Sequence, residues 1–151
     1  MQSGRSLALK WLARREYSAQ ALRDKLAAHG CQSSEIEVVL KQCQQQGWQS
    51  DERFALASMR QAYHKGQGLK KVRYVLQQEH GLTSACLTQV EATLDFNWTA
   101  LARTQLQKKF RQQSTADRKV QQKMFRFLQY RGFETETIHD VLATYQAPVF
   151  D

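Results

Sequence analysis

Proline, cysteine and long apolar runs are scarce in this 151-residue chain. The sequence has one proline and seven glycines, and few β-branched runs, which favours helices throughout. No apolar stretch approaches the roughly 18 residues of a membrane-spanning helix, and no signal peptide is evident at the N-terminus. The three cysteines, Cys31, Cys43 and Cys86, are odd in number and lack Cys-x-x-Cys spacing. This usage predicts reduced thiols and a cytoplasmic protein.

Acidic residues are also in the minority. There are 14 aspartates and glutamates against 22 lysines and arginines, a net charge of +8. Residues 60–74 contain five basic residues and no acid, and residues 103–131 contain nine basic residues with Asp117 as the one acid. The remaining acids gather in other segments. Such segregation favours a polyanionic or acidic partner, such as nucleic acid or a nucleoprotein, and is a weaker argument for a membrane surface.

The sequence lacks a set of residues suited to catalysis. His29 and His80 each precede a glycine that ends a helical pattern, where a histidine can face the negative end of the helix dipole. No Cys/His cluster has zinc-ligand spacing. The glycines of residues 66–68 lack the spacing of a phosphate-binding loop, so we interpret them as flexible connectors. We therefore predict a protein that is not an enzyme, with no catalytic residues, no cofactor and no metal.

The most distinctive segment is 47–55 (GWQSDERFA), which predicts the end of one helix and the start of another. Gly47 suits the left-handed backbone beyond a helix end, and Trp48 can fold back onto the last turn near Cys43. Ser50 suits an N-cap, and two acids follow it at the positive end of the next helix. Arg53 has no evident structural task; we expect it to pair with an acid such as Glu52 or to face a partner.

Helix stops recur along the chain at a fixed spacing. Gly30, Gly81 and Gly132 are 51 residues apart each time (81 − 30 and 132 − 81). A leucine precedes each glycine by four or five residues (Leu26, Leu76 and Leu128), and two further apolar series recur every 51 residues: Ile36, Leu87 and Ile138; Val39, Val90 and Val141. Ser18 and Asn97 suit N-caps, and Ser34 with Glu37 has capping-box spacing. Nine helices are predicted in total.

This periodicity predicts an all-α fold: a tandem array of three three-helix repeats, elongated, with curvature left open. The repeats are predicted at residues 1–48, 49–96 and 97–151, the last with a short C-terminal tail. A lone unit of about 50 residues is marginally stable, so neighbouring repeats should stack. The acids collect on the third helix of each repeat, whereas the basic runs lie on the first and second helices of repeats two and three.

Four segments, in order along nearly the whole chain, resemble the bacterial RecX regulators of the RecA recombinase. They are residues 12–18 (LARREYS) with 22–26 (LRDKL), residues 47–55, residues 65–68 (KGQG) running to Leu76, and residues 127–133 (FLQYRGF). His80 is one extra residue before Gly81, so we expect a local difference at the end of the fifth helix. The arm before Arg5 is too short to carry over any role for an arm.

The resemblance implies a non-enzymatic, negative regulator that binds the RecA–DNA filament and inhibits its growth, ATPase, strand exchange and coprotease functions. Single- or double-stranded DNA, contacted through non-specific electrostatics, is a further candidate partner. We expect a monomer with no membrane partner. The hypothesised binding residues, which would dock electrostatically, are Arg60, Lys65, Lys70, Lys71, Arg73, Lys108, Lys109, Arg111, Lys119, Lys123 and Arg126.

Two other functions fit the same composition. One is a stand-alone DNA-binding module, since paired short helices with basic faces can resemble helix-turn-helix elements. The other is a helical scaffold for an acidic protein partner. Tyr63, Tyr74 and Tyr130 lie within the basic runs and could stack on bases, although core packing is an equally good account of each.

Overall fold

The computed structural model describes residues 3–111 and 113–146, and every regular element within these ranges is an α-helix. The helices are α1 (Gly4–Leu12), α2 (Ala19–Ala28), α3 (Ser33–Gln45), α4 (Asp51–His64), α5 (Leu69–Gln78), α6 (Ser84–Ala92), α7 (Trp98–Phe110), α8 (Arg118–Tyr130) and α9 (Thr135–Thr144). This confirms the all-α prediction and its nine helices. The predicted C-terminal tail from residue 147 lies outside the described residues. None of these helices is long and apolar enough to cross a membrane.

Three helices begin at the predicted caps. The side-chain oxygens of Ser18, Ser50 and Asn97 each accept a hydrogen bond from the backbone N–H three residues further on, at 3.0, 3.2 and 2.9 Å. Each bond satisfies one of the N–H groups that the first turn of a helix leaves without a partner, and is worth about 1 kcal/mol. Local side-chain chemistry therefore fixes where α2, α4 and α7 start.

The capping box predicted for α3 is wrong. The helix begins two residues earlier, with Gln32 as its N-cap and no side-chain cap hydrogen bond, so Ser34 lies inside the first turn. Glu37 is drawn to a tertiary partner instead: its Oε1 lies 2.8 Å from Nε of Arg23 on α2. An ion pair between two helices has replaced the local bond that the spacing suggested.

The repeated glycines end helices as predicted. Gly30, Gly81 and Gly132 have φ of 88°, 67° and 87°. In each repeat the residue after the glycine donates its N–H to a carbonyl of the last turn at 3.1 Å: Cys31 to Leu26, Leu82 to Leu76, and Phe133 to Leu128. The second of these bonds spans one residue more than the others, because His80 is inserted before Gly81. The expected local difference at the end of α5 is confirmed.

The segment between α3 and α4 has the predicted geometry. Gly47 has φ of 74°, and the N–H of Trp48 donates to the carbonyl of Cys43 at 2.8 Å. The Trp48 ring is half-buried against the core of the first three helices. The tryptophan therefore closes α3 and covers its core at the same time.

Arg53 has a structural task that the sequence did not reveal. Its Nε donates to Oε2 of Glu16 at 2.8 Å, and its second guanidinium nitrogen donates to the carbonyl of Gly47 at 2.7 Å. Arg53 therefore pairs with an acid, as one of the two predictions had it, but the acid is Glu16 and not the suggested Glu52, which accepts from the Ser50 hydroxyl. Arg53 thus ties the start of α4 to the α1–α2 connection and to the end of α3.

Apolar cores form within the first and the last three helices. In the first, α1, α2 and α3 pack pairwise around Leu22, Leu26, Ile36, Val39 and Leu40. In the last, α7, α8 and α9 pack around Leu106, Met124, Leu128, Ile138 and Val141. All nine residues of the three repeat series are buried. Full burial of each such side chain contributes about 1.5–3 kcal/mol, so the 51-residue period is a period of core positions.

The chain divides into two compact units, each built from two stretches of sequence. One consists of Met1–Ser58 with Val75–Thr93, and the other of Met59–Tyr74 with Leu94–Asp151. The second unit therefore combines parts of the predicted second and third repeats. The division of the sequence into three repeats stays a prediction.

Candidate nucleoprotein-binding surface

All of the protein's net charge lies in one compact unit. The unit Met59–Tyr74 with Leu94–Asp151 has 14 lysines and arginines against 6 aspartates and glutamates, which gives +8. The unit Met1–Ser58 with Val75–Thr93 has 8 against 8, which gives zero. We call them the basic unit and the neutral unit. An excess concentrated in this way produces a stronger local potential than the same charge spread over the whole chain.

Every hypothesised binding residue belongs to the basic unit. Ten of the eleven are exposed, whereas Arg73 is half-buried and makes an interaction of its own. They come from α4, the α4–α5 connection, α5, the end of α7, and α8: Arg60, Lys65, Lys70, Lys71, Arg73, Lys108, Lys109, Arg111, Lys119, Lys123 and Arg126. The two basic runs, separated in the sequence, therefore share one compact unit.

Backbone hydrogen bonds join the start of α5 to the end of α8. The N–H of Gly68 donates to the carbonyl of Arg131 at 2.8 Å, and the N–H of Lys71 donates to the carbonyl of Gly132 at 3.2 Å. The first turn of a helix has N–H groups without intrahelical partners, and the last turn has carbonyls without them. Here the two ends satisfy each other, and opposite ends of two helix dipoles meet. This contact fixes one basic helix against the other.

Glycine is required on both sides of this contact. A Cβ at position 68 would collide with the backbone of Gly132 and Phe133, and a Cβ at position 132 would collide with Lys71. Gly66, with φ of 76°, is buried against the Gln105 side chain of α7. The prediction that Gly66 and Gly68 are flexible connectors is therefore wrong: Gly68 lets two backbones approach, and Gly66 leaves room for the Gln105 side chain.

The three tyrosines of the basic runs have different surroundings. Tyr63 packs in an aromatic cluster, stacked on Phe96 with ring centroids 4.1 Å apart and meeting Trp98 edge-on at 5.3 Å. Tyr74 and Tyr130 are 65% and 83% exposed. Core packing therefore accounts for Tyr63 and not for the other two rings.

A serine–histidine contact in the neutral unit has the appearance of a catalytic pair. Ser18 Oγ lies 2.6 Å from His80 Nδ1, and the imidazole packs on Phe54 with ring centroids 4.6 Å apart. Ser18 is fully buried, however, and its oxygen already accepts the capping N–H of Ala21. A buried oxygen cannot reach a substrate, so the pair joins α2 to the end of α5. Both His29 and His80 were predicted to face the end of the preceding helix. Nδ1 of His29 does so, 2.9 Å from the Lys25 carbonyl, whereas Nδ1 of His80 has Ser18 as its partner.

The three thiols are held protonated rather than activated. Burial raises the pKa of Cys43. Burial, and then the nearby carboxylates, raise the pKa of Cys31 beside Glu35 and of Cys86 beside Glu52 and Asp51. A reactive cysteine needs the opposite shift, from an electropositive environment. No group of histidine, cysteine and carboxylate side chains able to hold a metal occurs among residues 3–111 and 113–146.

Two family models match parts of the chain. "RecX, first three-helix domain" matches residues 5–43, and "RecX, third three-helix domain" matches residues 99–142. These ranges cover nearly all of α1–α3 and of α7–α9, the two sets of helices that form apolar cores. The matched helices are thus the helices that the structure packs together.

Similar proteins extend the match to most of the chain. "Regulatory protein RecX" of Pasteurella multocida (strain Pm70) is 40% identical over 126 residues, 83% of this chain and 77% of the relative. The protein of the same name from Legionella pneumophila (strain Corby) is 37% identical over 134 residues, 89% of each chain.

A solved structure has the same fold. The crystal structure of RecX from Lactobacillus salivarius superposes with a TM-score of 0.77 over 93% of this chain and 92% of that one, at 18% identity. The family assignment rests on the sequence relatives, and the superposition shows that the architecture is the same. This chain belongs to the RecX family of regulatory proteins.

Proposed function

We propose that this protein is a negative regulator of a RecA-type recombinase. It binds the recombinase–DNA filament and inhibits filament growth, ATPase activity, strand exchange and the coprotease function. It acts in the cytoplasm, as a monomer, without catalysis or a cofactor. The relatives' name, "Regulatory protein RecX", supports the regulatory part of this proposal.

The concentration of charge is the observation that carries the proposal. A recombinase–DNA filament offers phosphates along its whole length, and lysine and arginine contacts to phosphate need no particular base sequence. A unit of net +8, with ten exposed candidate residues, is suited to such a polyanion. The neutral unit has no excess charge for this role.

The test is the DNA-dependent ATPase of a RecA-type recombinase, measured with increasing, sub-stoichiometric amounts of this protein. We expect inhibition well below one copy per recombinase subunit, because a regulator that opposes growth acts on a whole filament. Unchanged ATPase at equimolar protein would contradict the proposal.

Binding measurements with DNA alone and with the recombinase–DNA filament separate the alternatives. A duplex complex with a sequence preference would favour a stand-alone DNA-binding module. An acidic partner protein bound through the same residues, with no association with DNA or with the filament, would favour the scaffold.

A further inference from the structure

Two tyrosine rings of the basic unit are exposed without a packing role. Tyr74 on α5 is 65% exposed, and Tyr130 at the end of α8 is 83% exposed. A solvent-facing tyrosine leaves most of a large apolar ring in water. The third ring of the basic runs, Tyr63, is packed against other aromatic rings.

Lys71 is close to Tyr130 in space and to Tyr74 along α5. Its Nζ is 5.8 Å from the centroid of the Tyr130 ring. Tyr74 is three residues after Lys71 on α5, so the two side chains share one face of that helix. The arrangement is held rigidly, because the N–H of Lys71 itself donates to the Gly132 carbonyl, two residues beyond Tyr130.

We propose that Tyr74, Lys71 and Tyr130 form a stacking platform for single-stranded nucleic acid. The tyrosine rings stack on unpaired bases, and the lysine ammonium beside them contacts the phosphate that links the bases. Aromatic rings interleaved with cations are how proteins hold single strands without reading sequence. The platform rests on the proposed function, since it names single-stranded nucleic acid as a direct partner of the same basic unit.

The chemistry of the platform favours single-stranded nucleic acid over a duplex and over a hydrophobic protein partner. In a duplex the base faces are stacked on each other, so they are not available to stack on exposed tyrosine rings. Duplex binding would therefore depend on phosphate contacts alone. A protein partner held by hydrophobic contacts would need a contiguous exposed apolar patch. Among the described residues of the basic unit, however, the large apolar side chains that are exposed are these two tyrosines. Residues 59–74, which contain two of the three platform residues, carry five positive charges and no acid.

The experiment compares two oligonucleotides and four proteins. Fluorescence anisotropy measures the affinity of the full-length protein for a labelled thymidine homopolymer of about 16 nucleotides, and for the same strand annealed to its complement. The variants are the double substitutions Tyr74→Ala/Tyr130→Ala and Tyr74→Phe/Tyr130→Phe, compared with the wild type and with Lys70→Ala/Lys109→Ala. Both rings are exposed, so neither tyrosine double variant should affect folding; circular dichroism checks this.

We expect the alanine pair to weaken single-strand binding by about tenfold or more and to change duplex binding by less than about twofold. The phenylalanine pair keeps the rings and should bind like the wild type. The lysine pair should weaken binding to both nucleic acids and reduce its dependence on salt. An alanine pair with wild-type single-strand affinity, an equal loss for both nucleic acids, or a wild type that binds no single strand would each overturn the platform.

The wild-type ATPase measurement separates this proposal from the proposed function. If the wild type inhibits the recombinase but the alanine pair binds single strands normally, the platform alone is wrong. If the wild type binds single strands through the two rings but leaves the ATPase unchanged, the regulatory proposal alone is wrong.

Discussion

Gly30 and Gly132 have almost the same backbone conformation but different surroundings. Their φ angles are 88° and 87°, and each ends a helix at the equivalent position of the repeat. Nothing lies within 4 Å of a Cβ built on Gly30, whereas a Cβ on Gly132 would collide with Lys71. Comparing Gly30 with Gly132 therefore separates two costs of adding a side chain: the strain of a left-handed backbone and the steric collision with a neighbouring residue.

Alanine at each of these positions should therefore destabilise the protein to different extents. Both substitutions place a side chain in the left-handed region, at about 1–2 kcal/mol. Gly132→Ala should cost about 1–3 kcal/mol more, because it also overpacks the α5–α8 contact. Urea unfolding followed by circular dichroism gives both values. Equal losses for the two variants would mean that the close approach of α5 and α8 is not part of the folded state.

The ion pair that replaces the capping box of α3 should be visible in a titration. The hydrogen bond from Arg23 holds the pKa of Glu37 below its usual value. A carboxyl with a lowered pKa adds stability above its unfolded-state pKa and loses that stability as the pH falls through its folded-state pKa. We expect Arg23→Ala to return the Glu37 pKa to its ordinary range, as measured by NMR. An unchanged Glu37 pKa in that variant would show that the pair does not persist in solution.

At the scale of the helices, the connection between α3 and α4 is held by more than its own residues. Trp48 covers the core of the first three helices, and Arg5 lies over its ring at 5.8 Å. Arg53 and Glu16 form the adjacent ion pair. The segment therefore has a structural explanation for its distinctive residues, and none is left over that requires an active site.

Trp48→Ala should loosen this connection and reduce activity indirectly. We expect a loss of about 2 kcal/mol, below the value for a fully buried tryptophan because the ring is half-buried. Thermal unfolding measures the loss, and Trp48→Phe, which keeps a ring in place, should lose less. A Trp48→Ala protein with wild-type thermal stability that no longer inhibits the recombinase would move the functional site back to this connection.

Sequence reasoning succeeded for elements whose causes are local. The caps at Ser18, Ser50 and Asn97 and the glycine helix ends depend on residues a few positions apart. It failed where the cause was a partner distant in the chain. Gly68 meets Gly132, 64 residues on, and Ser18 meets His80, 62 residues on. No periodicity within one helix contains that information.

The sequence predicted which residues belong to the candidate surface, but it did not predict that they lie in one compact unit. Both basic runs are evident from the sequence, and so are the three tyrosines. That Arg60 and Lys71 share a compact unit with Lys109 and Lys123, while the rest of the chain sums to zero charge, required the tertiary structure. The exposure of Tyr74 and Tyr130, and not of Tyr63, required it too.

At the scale of the whole molecule, we expect inhibition to depend on where the charge is placed rather than on how much charge there is. Two triple variants separate these possibilities. One is Lys109→Glu/Lys119→Glu/Lys123→Glu in the basic unit, and the other is Lys10→Glu/Arg14→Glu/Lys41→Glu in the neutral unit; all six side chains are exposed. Each triple lowers the net charge by six, from +8 to +2. Lys109 and Lys10 both lie in the last turn of a helix, so reversing either of these two charges has a similar helix-dipole cost.

The measurement is the protein concentration that half-inhibits the DNA-dependent ATPase of a RecA-type recombinase, with thermal unfolding as the check on folding. We expect the basic-unit triple to need about tenfold more protein or more, because each lost phosphate contact weakens binding. The neutral-unit triple should inhibit like the wild type to within about twofold. Equal losses from two folded triples would show that total charge alone matters. A loss confined to the neutral-unit triple would place the working surface in the other unit and contradict the account.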